Sequence, residues 1–215
     1  MSERFTYRDD REAYNAARVK ALESLLVEKG IITSQVVDKV IRYFEEDIGP
    51  FNGAKVVAKA WVDPAYKARL LANTPAAIAE MNFTGGMTGV EGENMQCIEN
   101  TTEVHNLIVC TLCSCYPWPV LGLPPYWFKD PVYRARAVRE PRAVLRDFGV
   151  ELDDSVEIRV WDSSAQVRWF VLPERPPGTE GETEENLAKL VTPESMQGAA
   201  KVKPPPQAHS DGGAQ

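Results

Sequence analysis

The chain has little histidine, no cluster of basic residues and no uninterrupted apolar run. Its two histidines among 215 residues, His105 and His209, have no zinc-finger spacing to any cysteine pair. Lysine and arginine are scattered and the formal net charge is −7, which argues against nucleic acid and against an anionic membrane surface as partners. The most apolar region, Leu107 to Phe128, is broken by Pro117, Pro119, Pro124 and Pro125, so it does not read as a membrane span. Met1 to Arg11 is polar and charged without an apolar centre, unlike a secretory signal. Neither an internal repeat nor a Ser-His-Asp or Glu-Lys-Cys set of the hydrolytic kind is present.

Cysteine is scarce as well, with four in the chain, yet three of them fall within Cys110-Thr111-Leu112-Cys113-Ser114-Cys115. A C-x-x-C pair alone fits a redox couple or half of a zinc site. The third cysteine changes the geometry. Cys113 and Cys115 reach one ion together only through a very tight turn, which also brings the amide nitrogens of Ser114 and Cys115 toward it. Two sulfurs and two amidate nitrogens then form a plane, and Cys110 caps it. One octahedral position stays open, as a Lewis-acid catalyst requires. Zinc rarely deprotonates a peptide nitrogen and would want a fourth side chain, so the set favours low-spin cobalt(III) or iron(III). Cys97 reads as a small buried hydrophobe. Thiols kept for a metal rather than for disulfides suit the cytoplasm.

Along the chain, Asp10 to Lys29 predicts a helix stopped by Gly30. Thr33 or Ser34 caps a second helix with an apolar stripe of Val36, Val37, Val40, Ile41 and Phe44, ended by Gly49-Pro50. Asp63-Pro64 and Thr74-Pro75 read as caps with first turns of short helices, and Phe44, Phe51, Trp61 and Tyr66 as packing surface. Phe83 to Gly92, with four glycines, reads as a flexible loop. Met95 to Val109 is strand-like and feeds the cysteines, and the prolines that follow forbid regular structure. Asp130-Pro131 opens a helix carrying Arg134, Arg136 and Arg139, which form a solvated or interface face or pair with an anionic metal centre. Ser155 to Trp161 and Gln166 to Leu172 predict a hairpin. A Pro/Gly linker, Pro173 to Gly178, and a last helical piece from Thr192-Pro193-Glu194 follow. The domains expected are a helical N-terminal arm (1–80), a metal-binding domain (81–200) and a disordered tail (201–215).

The motif Cys110 to Cys115, continued by Tyr116-Pro117-Trp118-Pro119-Val120-Leu121-Gly122-Leu123-Pro124-Pro125, resembles the metal-binding segment of the nitrile hydratase alpha subunit. The similarity extends through Tyr133-Arg134-Ala135-Arg136, Val138-Arg139-Glu140-Pro141, Val160-Trp161-Asp162-Ser163-Ser164-Ala165, Leu172-Pro173-Glu174-Arg175-Pro176 and Leu190-Val191-Thr192. The resemblance implies an α+β fold: an arm that wraps a beta subunit, and a four-layered α-β-β-α domain. It also implies an αβ or α2β2 complex, an activator or metallochaperone that inserts the metal, and a small-molecule nitrile as substrate. Thr111 resembles the cobalt group, whereas iron members tend to carry Ser there. Glu91 stands where the family often has a Gln near the active site.

The same resemblance implies Cys113 as a sulfinic acid, Cys115 as a sulfenic acid and Cys110 as an unmodified thiolate. Such oxidation draws charge off the sulfurs and restores Lewis acidity to an electron-rich centre. The implied reaction is hydration of a nitrile to the amide, with the Cys115 oxygen as nucleophile or base. Trp118 lines the apolar pocket or is a core tryptophan under the loop. Two further readings stand beside this one: the cobalt subunit of thiocyanate hydrolase, which shares the motif, and a zinc-stabilised interaction module without catalysis.

Overall fold

The computed structural model describes residues 9–43, 49–83, 94–110 and 116–205, and the chain divides by packing into two compact units, Met1–Asp47 and Ile48–Gln215. The first holds α1 (Asp9–Glu28) and α2 (Ser34–Arg42). Helix α1 stops as the sequence requires. Gly30 takes a left-handed backbone (φ 67°), its N–H bonds to Val27 O, and the Ile31 N–H reaches back to Leu26 O. Thr33 caps α2 by accepting from the Val36 N–H at 3.3 Å. Tyr14, Val19, Leu22, Leu25, Val36, Val40 and Ile41 of these two helices are exposed.

The second unit begins with α3 (Pro50–Val62), α4 (Pro64–Ala72) and α5 (Thr74–Ala79). Gly49-Pro50, expected to end the preceding helix, opens α3, with Gly49 as its N-cap and Pro50 in its first turn. Proline is suited to that position because its missing N–H would have no helical partner. Asp63 caps α4 through the Tyr66 N–H as expected. The cap of α5 is one residue earlier than predicted: Asn73 accepts from the Ala76 N–H. Thr74 is thereby released for another task, donating to Leu70 O and accepting from the Cys97 N–H at 2.7 Å. Tyr66 and Trp61 pack in or against the core, whereas Phe51 is exposed.

Among the described residues, four strands follow as two separate two-stranded sheets, both parallel. The strands are β1 (Met95–Glu99), β2 (Val104–Cys110), β3 (Glu157–Ser163) and β4 (Arg168–Leu172), and β1 pairs with β4 while β2 pairs with β3. Met95 to Val109 is strand-like as expected, divided into two strands in different sheets by a turn in which Thr101 Oγ1 accepts from the Glu103 and Val104 N–H groups. The predicted hairpin is absent, because β3 and β4 cross from one sheet to the other instead of pairing. The Trp161-Asp162-Ser163 segment belongs to the strand, and the turn falls at Ser164–Val167, closed by the Ser164 N–H to Val167 O. Alternation is the same for a hairpin and for two parallel strands that exchange sheets, so it does not separate them.

Helices α4 and α5 pack on β1, the two sheets pack on each other, and α7 (Pro131–Arg139) and α8 (Pro141–Asp147) cover β2 and β3. The order is helices, sheet, sheet, helices, within an α+β architecture. The helices α3–α5, grouped with the arm by the sequence, pack with this second unit. The proline-rich stretch is not irregular throughout. It forms α6 (Trp118–Leu121) and a 3-10 turn at Tyr126–Lys129, with Pro117 as N-cap and Pro119 in the first turn of α6, where proline is tolerated. A helix the sequence reading passed over, α9 (Glu184–Leu190), packs on α3. Thr192-Pro193-Glu194 leads into a second 3-10 turn, Ser195–Gln197. The Phe83–Gly92 loop, Phe44 and the tail beyond residue 205 fall wholly or mostly outside the described residues. No described helix is long and apolar enough to cross a membrane.

Helix α3 touches α6 with almost no separation. A Cβ on Gly53 would stand 2.2 Å from the Val120 carbonyl oxygen and 2.7 Å from the Met196 sulfur, so glycine is required for this contact. Gly53→Ala is therefore expected to push α6 off α3 and to cost about 1–3 kcal/mol, read as a lower thermal midpoint. An unchanged midpoint would mean that α3 and α6 do not touch in solution.

Candidate metal centre

The chemistry-bearing segment begins where β2 ends. β2 is buried from His105 to Cys110, as expected of a parallel strand covered on both faces. Its register with β3 sets Leu107 opposite Val160, Ile108 opposite Trp161 and Cys110 opposite Ser163. Cys110 is thus fixed at the last rung of a ladder and is 7% exposed. Tyr133 of α7 closes over the strand from the helix side, its hydroxyl donating to Ile108 O at 2.8 Å. Burial holds that phenol protonated, its pKa pushed far up.

The other end of β2 is pinned by a buried polar network. The Asn106 N–H and Nδ2 both donate to Asn100 Oδ1, Nδ2 also reaches Glu99 O, and Trp161 Nε1 donates to Asn106 Oδ1 at 2.8 Å. His105 joins with both ring nitrogens, Nδ1 with Asn100 Nδ2 at 3.3 Å and Nε2 with Gly198 O at 2.7 Å. A neutral ring that donates from Nε2 and accepts at Nδ1 satisfies both contacts. Burial lowers the His105 pKa first, the Gly198 carbonyl opposes, and Lys201 adds to the lowering. This strand does not slide.

Beyond the cysteines, Tyr116 is fully buried and meets Phe128 edge-on at 5.1 Å. Burial, with a contribution from Glu194, pushes its phenol far up, so it serves as a neutral hydrogen-bonding group. Its hydroxyl accepts from Gln197 Nε2 at 2.6 Å. Trp118 opens α6, partly buried and packed against the core, with Pro119, Val120 and Leu121 buried behind it. Neither Tyr116 nor Gln197 was singled out from the sequence. Nothing local marks them, since their contact joins positions 81 residues apart.

Of the predicted ligands, the structure places Cys110; Cys113, Ser114 and Cys115 lie outside the described residues, as does Glu91. Among the described residues no group of three or more His, Cys, Asp or Glu side chains is gathered as a metal would need. A set of three or more such donors that includes Cys110 therefore needs members from outside them. The chemistry of the sequence fits such a centre: a strand-end sulfur nearly removed from water, with two more sulfurs and their amides within five residues. Cys97 is a different kind of thiol. It sits opposite Phe170 in the other sheet, burial raises its pKa strongly, and its backbone is tied to Thr74.

Two of the three arginines of α7, Arg134 and Arg136, are engaged by carboxylates. Arg134 pairs with Asp162 at 2.6 Å, and Arg136 with Glu140 and with Asp147, each at 2.8 Å. Asp162 precedes the rung opposite Cys110, so Arg134 braces the β3 end of that ladder.

Residues 13–200 match the sequence family described as nitrile hydratase, alpha chain. The chain belongs to that family. It is 56% identical to the low-molecular weight cobalt-containing nitrile hydratase subunit alpha of Rhodococcus rhodochrous, over 90% of this chain and 91% of the relative. Among solved structures, a double mutant of the Fe-type nitrile hydratase from Comamonas testosteroni Ni1 superposes with a TM-score of 0.80 at 40% identity, covering 94% of this chain and 99% of that one. The thiocyanate hydrolase subunit gamma of Thiobacillus thioparus is 38% identical over 86% of this chain and 78% of that protein. The chain is thus a homologue of cobalt-type nitrile hydratase alpha subunits, and thiocyanate hydrolase is the weaker match.

The network at the base of β2 has a pH signature. His105 is neutral in the fold and its pKa lies below the ordinary 6.5, so the unfolded chain binds more protons beneath that value. Its contribution to stability is complete above 6.5 and is lost as the pH falls below it, with a slope of up to about 1.4 kcal/mol per pH unit. Urea titrations between neutral and mildly acidic pH should show this slope in the wild type and a flatter one in His105→Gln, which keeps a donor for Gly198. Equal slopes would place the proton uptake elsewhere.

Proposed function

We propose that this chain is the metal-carrying alpha subunit of a nitrile hydratase and hydrates nitriles to amides with a partner chain. The observation that carries the proposal is the C-x-x-C-x-C segment launched from a buried strand end, in a chain that matches the family from residue 13 to 200. The sulfurs of Cys110, Cys113 and Cys115 and the amide nitrogens of Ser114 and Cys115 would hold non-corrin cobalt(III), one per chain. Thr111 and the similarity to cobalt-containing relatives favour cobalt over iron(III). When bound, the ion supplies Lewis acidity toward a nitrile nitrogen or a water.

The chain's own residues carry the rest of the reading. Cys113 is a sulfinic acid, Cys115 a sulfenic acid and Cys110 a thiolate, and the oxygen on Cys115 acts as nucleophile or base. Trp118 lends its ring to an apolar pocket for the substrate, while the buried residues after it hold α6 in place. No hydrolytic nucleophile-and-base set is present in the sequence, so the amide is the end product. The exposed apolar residues of α1 and α2 suit docking on a beta subunit, in an αβ or α2β2 complex. An activator or metallochaperone would load the cobalt, and reduced thiols before loading fit the cytoplasm.

Metal content, peptide mass and turnover test this reading. The complex with its beta subunit should contain about one cobalt per alpha chain, and the Cys110–Cys115 peptide should be about three oxygens heavier than its sequence mass. Cys115→Ser should lose the metal and reduce turnover by several orders of magnitude while the fold survives, whereas Cys97→Ser should keep both. Zinc with three reduced thiols in the wild type would establish the interaction-module reading instead, and turnover of thiocyanate but not of nitriles would establish thiocyanate hydrolase. A separate test concerns the partner: purified alpha chain alone is expected to be nearly inactive. Full activity without the beta subunit would sink the shared-site assignment.

A further inference from the structure

One fully buried polar side chain has no role in the chemistry so far. Gln197 ends the second 3-10 turn at 0% exposure. Its Nε2 donates to the Tyr116 hydroxyl at 2.6 Å, and its Oε1 is buried with no partner among the described residues. Burying an amide with one end unbonded costs desolvation free energy that an apolar side chain of the same size would not incur. The one bond it makes, to the Tyr116 hydroxyl, must offset that cost.

That bond is presented from a rigid frame. Ser195 locks the turn from below, its hydroxyl donating to Thr192 O at 2.7 Å and its N–H to Thr192 Oγ1 at 3.2 Å. Gly198 locks it from the other side. Its φ is +78°, a Cβ there would lie 1.8 Å from Asn106 O, and its own carbonyl accepts from His105 Nε2. Gln197 is thus fastened to the first half of β2, the strand whose other end is Cys110. Tyr116, which Gln197 grips, is the residue directly after Cys115. Phe128 fixes the tilt of the Tyr116 ring, and the Gln197 bond fixes its hydroxyl end.

We propose that Gln197 is a positioning residue that pins the exit of the cysteine segment, through the Tyr116 hydroxyl, to the same strand from which the segment departs. Entry is held at Cys110 by its rung opposite Ser163, exit by Tyr116–Gln197–Gly198 and the His105 contact. Both ends of the segment are thereby tied to one strand, which lowers the entropy lost on gathering five donors. This inference rests on reading the segment as the metal centre.

The test uses the complex with the beta subunit and three variants: Gln197→Leu, Tyr116→Phe and the double variant. Backbone hydrogen exchange over residues 111–116, the melting temperature and cobalt retention under chelator are measured for each. Both single variants should exchange about 3- to 10-fold faster across the segment, as expected for loss of one buried bond, and release cobalt faster. The double variant has lost both polar groups, so its melting temperature should return close to that of the wild type. Its segment should nevertheless stay as fast as in the singles. Wild-type exchange in Gln197→Leu overturns the proposal, as does a double variant in which exchange recovers together with the melting temperature, since the bond would then be structural only. A wild type without cobalt would fell the metal-centre reading, while the exchange comparison still decides the role of Gln197.

Discussion

Parallel pairing of Val104–Cys110 with Glu157–Ser163 sets where chemistry can stand on this chain. A parallel ladder has no hairpin to anchor it, so its register must be enforced by what is buried on its two faces and at its ends. Here the face toward α7 is closed by Tyr133 on the Ile108 carbonyl, and one end is held by Asn100, His105, Asn106 and Trp161. A slip of one residue would break each of these bonds and turn Cys110 to the other side of the sheet. The thiol at the far end therefore inherits its position from Asn100, His105 and Asn106, buried four to ten residues earlier in the chain.

The helices complete that constraint from outside the sheets. Gly53 lets α3 come against the Val120 carbonyl, which fixes α6 and with it Trp118. Gly198 lets the last 3-10 turn lie on Asn106, which fixes Gln197 beneath Tyr116. Two positions where a side chain would collide with backbone thus locate the residues that follow the cysteines. Charge has a smaller part. The ion pairs of Arg134 and Arg136 are partly exposed, where such pairs contribute modestly, and their use is to orient α7 against β3 and α8.

Local signals were legible and long-range ones were not. Thr33, Asp63 and Asp130 cap helices as their sequence context requires, because a cap is decided within three residues. The supposed hairpin failed because alternation states only that a strand has two unlike faces. Met95 to Val109 is extended as its residues indicate, but an apolar run does not say which sheet each half joins. The proline-rich stretch was read as irregular, yet prolines at the start of a turn permit helix, and those after Tyr116 fall at starts. Helix α9 was missed because its short acidic sequence shows no long apolar stripe.

What the sequence determined by itself is the supply of donors: three cysteines within six residues, followed by prolines, are there whatever fold carries them, because residue type and spacing are covalent facts. It also determined the family, since the motif and the stretches around it span most of the chain. What only the tertiary structure decided is how that segment is held. The exchange of strands between two sheets, the burial of Cys110 opposite Ser163 and the grip of Gln197 on Tyr116 join residues up to 81 positions apart. Contacts of that kind depend on packing complementarity between distant surfaces, and no local pattern of residue types encodes it.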